Sequence, residues 1–249
     1  MVNSDLLKEN EKIDSLQRNG YSIIQDSTRF CFGMDAVLLT EFAKDRIRNS
    51  DEVLDLCTGT GIIPILLRAK TKAKHFTAME IQEEVADMAR RSVAMNNLNE
   101  DIEILTADLC EMSKSYYNTF DVVTVNPPYM IPGKALVNPN SSKAIARHEI
   151  KCTLEDVIRQ SSKALKSSGR FFMVHKPERL TEIITLMKEK KIEPKRLRMV
   201  YPRIVDEPSM ILIEGIKCGN QGIRIEKPLI IYDENGQYMK EVSDIYEEA

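Results

Sequence analysis

The chain has little of what metal and disulfide architectures need: three histidines, five cysteines and no C-x-x-C pair in 249 residues. Cys31, Cys57, Cys110, Cys152 and Cys218 stand far apart, so neither a zinc cluster nor a disulfide framework is expected. Scattered thiols suit a reducing compartment. There is no basic excess either. The formal net charge of −3 gives no global attraction to nucleic acid and leaves only a local one. No apolar run reaches the ~20 residues of a membrane span, and the opening "MVNSDLLKENEK" lacks the apolar stretch of a signal peptide. Internal repeats and low-complexity linkers are also missing. The expectation is a soluble cytoplasmic protein with no membrane contact and no metal.

What is present is a regular alternation. At 43% hydrophobic, the chain can bury a full core. "DEVLDLC" reads as a strand running into glycines, and "IIPILLRAK" as a helix that tolerates Pro64 in its first turn. "KHFTAMEI", "DIEILTAD", "FDVVTV" and "RFFMVHK" are further strands, with a helix over "QEEVADMARRSVAMNNL". "TLEDVIRQSSKALKSSG" predicts a helix capped by Thr153 and Asp156 and closed by Gly169. Pro177 opens another. Strands separated by helices imply a doubly wound α/β sheet, mostly parallel, with helices on both faces. "KRLRMVYPR" and "SMILIEGIK" have no helix between them, which predicts an antiparallel hairpin at the sheet edge. Residues 1–45 are too short for an independent domain and are expected to form a brace or lid on a main domain over 46–249.

The motifs gather at strand ends. "DLCTGTG" places Gly59 and Gly61 between the first strand of the sheet and its helix, where glycine lets backbone approach a ligand and the helix start offers free N–H groups. The third glycine of the dinucleotide fingerprint is absent, for Pro64 stands there. Glu80 ends the next strand, 19 residues after Gly61, where a carboxylate can accept from both hydroxyls of a ribose. Asp108 ends the strand after that. Alone, each is a solvated strand end; together they point into one crevice at the carboxyl edge.

In that order and spacing, "DLCTGTG", Glu80, "AD" at 107–108 and "NPPY" at 126–129 resemble the class I S-adenosylmethionine-dependent methyltransferases that modify amino groups. The resemblance implies that Asp55, Cys57, Gly59, Thr60 and Gly61 cradle the methionine part, Glu80 the ribose and Asp108 the adenine amino group. It also gives the asparagine and prolines a purpose. An exocyclic amino nitrogen is a poor nucleophile because its lone pair is delocalised. The Asn126 side-chain oxygen and the Pro127 carbonyl can accept its hydrogens and aim the lone pair at the methyl group. Tyr129 offers a stacking face for a planar substrate such as a base swung out of its stack.

N-P-P-Y alone leaves adenine, cytosine, guanine and glutamine amino groups open. "RFCFGMDAVLLTEFA" and "ARHE" at 146–149 are similar to the bacterial tRNA adenine-N6 methyltransferases that act beside the anticodon of a valine tRNA. In that reading Phe32 and Gly33 close over the cofactor and Asp35 caps the following helix; structural bracing explains them equally well. Residues 187–203 hold seven Lys/Arg against two Glu. Lys188, Lys190 and Lys191 suit a solvated helix face, whereas Lys195, Arg196, Arg198 and Arg203, on an edge strand, suit phosphate contact. The long loop 130–149 reads as a substrate lid with Lys134, Lys143 and Arg147 near phosphates. A monomer without an obligate protein partner is expected, with tRNA as substrate. A glutamine-modifying protein methyltransferase, an enzyme acting on ribosomal RNA bases and a non-catalytic RNA-binding module remain alternatives.

Overall fold

The computed structural model of the chain describes residues 6–28, 33–129 and 152–247. The first elements are strands β1 (Glu11–Ser15) and β2 (Ser22–Asp26), paired antiparallel with Ile13 opposite Ile24. Then follow α1 (Met34–Lys44), β3 (Glu52–Leu56), α2 (Ile62–Lys70), β4 (His75–Glu80), α3 (Glu83–Met95), β5 (Ile102–Thr106) and β6 (Phe120–Val125). The second half comprises α4 (Leu154–Ala164), β7 (Leu165–His175), α5 (Leu180–Glu189), β8 (Ile192–Tyr201), β9 (Met210–Lys217), β10 (Arg224–Ile225), β11 (Leu229–Ile230) and α6 (Lys240–Glu247).

The main sheet runs β10-β8-β9-β7-β6-β3-β4-β5, with β11 also on β8. Only β9 runs against its neighbours. Successive residues of each strand enter opposite layers, as a pleated strand requires. Val53 joins Leu38, Leu67 and Ala86 on the α1–α3 side, while Leu54 joins Val157, Ile158 and Ile183 on the α4–α5 side. Both faces are covered, so the parallel strands are mostly apolar, with Asp55, Thr77, Glu80 and Thr124 as buried polar exceptions. The chain reverses its winding at β3, which has β4 on one side and β6 on the other. A crevice at the carboxyl ends of β3 and β6 follows from that reversal.

Three details depart from the sequence reading. Helix α4 has its Thr153–Asp156 capping box but stops at Ala164, five residues before Gly169, which lies inside β7. The carbonyls of Lys163 and Ala164 are taken by the N–H groups of Asn118 and Thr119 at 2.8 and 3.0 Å, so the chain leaves the helix to pair with the start of β6. The late hairpin is there, but β9 is inserted against β7, and β8 carries β10 and β11 on its outer side. Strand β8 is therefore not a bare edge. Helix α1, finally, takes Gly33 as its cap and no side-chain cap bond; Asp35 sits within its first turn.

The β1–β2 hairpin is strapped onto α3. Ser92 Oγ accepts from the Ile24 N–H, Asn96 Oδ1 accepts from the Ser22 N–H, and Arg91 donates to both Glu11 carboxylate oxygens at 2.7 Å. The last helix packs on the first: Val242 and Ile245 share a core with Leu38 and Phe42, and Arg18 donates to the Ile245 carbonyl at 2.5 Å. Among the described residues no helix is long and apolar enough to cross a membrane.

Candidate active site

The loop after β3 is built from left-handed backbone. Cys57, Gly59 and Gly61 have φ of 58°, 59° and 85°, a conformation that costs glycine little and cysteine more. A Cβ on Gly61 would stand 3.3 Å from that of Ala89, so glycine there lets α3 approach the loop. At Gly59 the same atom would enter open space. Thr60 is buried, and burial pushes the Cys57 thiol far above its ordinary pKa, which leaves it protonated and without nucleophilic use.

Two carboxylates organise this loop. Glu80 is buried and accepts from the N–H groups of Gly59 and Gln82, each at 3.0 Å, one on each oxygen. A carboxylate oxygen has two acceptor sites, so each keeps one for a further donor. Asp55 lies directly beside Thr124 in the β3–β6 register and accepts the Thr124 hydroxyl at 2.6 Å. Its other oxygen, Oδ2, and the hydroxyl of Thr58 are buried without a partner among the described residues. Burial raises the Asp55 pKa to about 7, against the opposing pull of the Thr124 hydroxyl. Buried polar atoms without partners are rare in finished structures. Here they fit a cationic donor arriving from outside. Asp108 caps the 3-10 turn 109–111 through Cys110 N–H at 2.8 Å.

Asn126 is the next residue after Val125, which pairs with Leu56; it therefore stands level with Cys57 on the adjoining strand end. Pro127 is buried and Asn126 half-buried. Around Asn126 is a cluster that sequence spacing does not announce. Asp35 Oδ2 accepts from Asn126 Nδ2 at 3.1 Å and from the Tyr129 hydroxyl at 3.0 Å. The Tyr129 hydroxyl also reaches Asn126 Oδ1 at 2.5 Å. Burial, and then the adjacent Asp35 carboxylate, push the Tyr129 pKa far above its usual range and keep the hydroxyl protonated. The ring meets His175 edge-on with centroids 5.1 Å apart, and the Lys176 ammonium lies 5.5 Å from its centre. His175, at the end of β7, is buried, and burial lowers its pKa to about 4. It is a neutral packing surface.

Asp35 and His175 are thus the site residues the sequence reading assigned no place here. The signals for Asp35 were an acid at a helix start and its place in "RFCFGMDAVLLTEFA", and neither put it beside Asn126. Gly33 also acquires a different part: a Cβ there would stand 2.9 Å from Asp35 Oδ1, so glycine leaves room for that carboxylate. Phe32, Lys134, Lys143 and Arg147 lie outside the described residues. Cys110, Cys152 and Asp156 bring their donor atoms within 4.8 Å of one another, but Asp156 is already held by Thr153 and Arg159.

The basic strand divides. Arg196 points inward: it pairs with Glu214 at 2.7 Å and Glu226 at 3.3 Å, donates to the Phe42 carbonyl at 2.5 Å and lies over the Phe42 ring. The expected phosphate contact at Arg196 is corrected accordingly, since three acceptors already occupy its guanidinium. Arg198 is tied to Glu241 at 2.7 Å and to the Lys227 carbonyl. Both line a cavity of about 320 Å³ between α1, β8 and α6. Lys195 donates to the Asn220 carbonyl, and Arg203 is exposed in the β8–β9 turn at the carboxyl edge.

Residues 33–190 match the family model described as methyltransferase small domain. The chain is 27% identical over 194 residues to a tRNA1(Val) (adenine(37)-N6)-methyltransferase of Parabacteroides distasonis, covering 78% of this chain and 80% of that protein. To the protein of the same description from Bacteroides thetaiotaomicron it is 26% identical over 229 residues, covering 92% and 93%. Among solved structures, one described as a predicted O-methyltransferase from Agrobacterium tumefaciens aligns with a TM-score of 0.69 at 25% identity, over 86% of this chain and 95% of that one.

Proposed function

The chain belongs to the methyltransferase small domain family, and on that premise we propose that it methylates the N6 amino group of an adenine in tRNA. S-adenosylmethionine is the donor, and the adenine at position 37 of a valine tRNA is the target carried by the relatives' description. The observation that carries this reading is the placement of Asn126 level with the glycine loop, across one pair of strands. Transfer needs donor and acceptor held within contact distance and in line. Two adjoining strand ends provide that.

When bound, S-adenosylmethionine supplies an electrophilic methyl group on a sulfonium. Asp55, Cys57, Gly59, Thr60 and Gly61 hold the methionine part, the partnerless Asp55 Oδ2 taking its ammonium. Glu80 accepts the ribose hydroxyls on the lone pairs that Gly59 and Gln82 leave free, and Asp108 accepts from the adenine amino group. Asn126 Oδ1 and the Pro127 carbonyl accept the two hydrogens of the target amino group and turn its lone pair out of conjugation. The methylated nitrogen is acidic, so it sheds its proton without a strong base. Lys195 and Arg203 contact phosphate, and residues 1–45 brace the catalytic domain over 46–249. The enzyme acts as a cytoplasmic monomer without an obligate protein partner.

The test is transfer of labelled methyl to unmodified bulk tRNA, with ribosomal RNA and a protein extract in parallel, followed by nucleoside analysis. N6-methyladenosine in tRNA supports the reading. Label confined to protein or to ribosomal RNA overturns it.

A further inference from the structure

The Tyr129 hydroxyl carries one proton and touches two acceptors: Asn126 Oδ1 at 2.5 Å and Asp35 Oδ2 at 3.0 Å. Only one of the two can receive it at a time. If Asn126 Oδ1 holds that proton, the acceptor which the amino group needs is partly spent. If the hydroxyl rotates to Asp35, Asn126 Oδ1 is released while Tyr129 keeps a partner. A buried hydroxyl left with none loses ~1–3 kcal/mol, which is enough to oppose such a rotation were Asp35 absent.

The second contact acts in the same direction. Asp35 Oδ2 also accepts from Asn126 Nδ2 at 3.1 Å. A carboxylate accepts and never donates when ionised, so it can hold only the NH₂ end of the amide. The amide oxygen must then face the opposite way. A flipped amide would set its oxygen against a carboxylate and present two N–H groups to a substrate that itself brings N–H groups.

The position of Asp35 is itself built. It is 8% exposed, its Oδ1 accepts the Ala36 N–H at 2.9 Å, and the absence of a Cβ on Gly33 makes space for that same oxygen. Helix capping accounts for Oδ1, which takes the third N–H of α1, but not for Oδ2, which is turned away from the helix to Asn126 and Tyr129.

We propose that Asp35 is a positioning residue for methyl transfer: it fixes the orientation of the Asn126 amide and serves as the alternative acceptor to which the Tyr129 proton turns when the target amino group arrives. The proposal rests on the amino-group reading above. No bond to carbon forms or breaks in this step; one hydrogen bond, Tyr129 to Asn126, is exchanged for Tyr129 to Asp35, and the vacated oxygen accepts a substrate N–H. Nothing in it requires Asp35 to touch the substrate.

The experiment has one arm without substrate and one with it. In ¹⁵N-labelled protein, the Asn126 side-chain amide signals are identified by their loss in Asn126→Asp. Asp35→Ala should move those signals and speed their exchange with water by about tenfold or more, as loss of a buried hydrogen bond predicts. Asp35→Asn keeps an acceptor oxygen and should move them less; Gly33→Ala, which displaces Asp35 without removing it, should fall between. In the second arm, with tRNA, Asp35→Ala should lower kcat by about 100-fold while KM for RNA and cofactor affinity stay within about threefold, and Asp35→Asn should recover at least ten of that hundred. Unmoved Asn126 signals in Asp35→Ala overturn the proposal, as does a loss shared equally between kcat and cofactor affinity. Should Asp35→Ala not fold, the other two variants carry the same comparison. Wild-type protein that methylates no RNA, but whose Asn126 signals move with Asp35, would instead retire the substrate reading and keep the positioning contact.

Discussion

Thr124 and Asp55 face one another across β3 and β6, hydroxyl to carboxylate at 2.6 Å, with the second carboxylate oxygen left bare in the interior. The pair includes a buried acid whose pKa is raised to about 7. A folded-state pKa above the unfolded one contributes stability at low pH and loses it as pH rises toward that value. In the free protein Asp55 therefore weakens stability between about pH 4 and pH 7. Asp55→Asn should flatten that part of the stability–pH curve in urea titrations while reducing cofactor affinity at least tenfold. Calorimetry in buffers of different ionisation enthalpy should show proton release when S-adenosylmethionine binds near pH 6.5, where Asp55 is mostly protonated.

Asn126→Ala should leave cofactor affinity within a few-fold and lower turnover by roughly two orders of magnitude, since a preorganised acceptor is lost and the glycine loop is not. Isothermal titration and single-turnover assays on the same preparation separate the two. Equal losses in both would remove the role given to Asn126.

His175 titrates with the opposite sign. Its folded pKa is lowered from 6.5 to about 4 by burial, so it favours the folded state above about pH 6.5 and loses that contribution as pH falls toward 4. His175→Phe retains the ring against Tyr129 but cannot be protonated. It should show a smaller loss of stability between pH 6.5 and 4 than wild type, read as denaturant midpoints across that range.

Arg196→Ala should cost about 3 kcal/mol of stability, because Glu214, only 3% exposed, keeps its charge and loses one of two arginine partners. The salt slope of RNA binding should not change. Arg203→Glu should do the reverse: an unaltered melt, weaker RNA binding and a salt slope reduced by about one. An unaltered slope would return Arg203 to the role of a solvated turn residue.

The gathering of the glycine-loop and acidic residues at one strand edge was legible because its parts are local. Glycines, Glu80 and Asp108 each follow their own strand, and parallel pairing brings consecutive strand ends to one edge without further information. Asn126 was legible for the same reason. Asp35 was not, because its contacts lie 91 and 94 residues away and a lone aspartate at a helix start has an ordinary explanation. The basic stretch misled through its neighbours: β10 and β11 are two residues each, too short for a strand pattern, yet they cover β8 and give Arg196 and Arg198 acceptors from the C-terminal third. The early end of α4 depended on Asn118 and Thr119, which compete for its final carbonyls from a distant segment.

The contact between α6 and α1 has a consequence for the order of assembly. During synthesis, the helix that bears Asp35 emerges early, yet the surface formed by Val242 and Ile245 that completes its packing is made some two hundred residues later. Until those residues have been made, Leu38 and Phe42 lack part of the cover that the finished fold gives to the helix carrying Asp35.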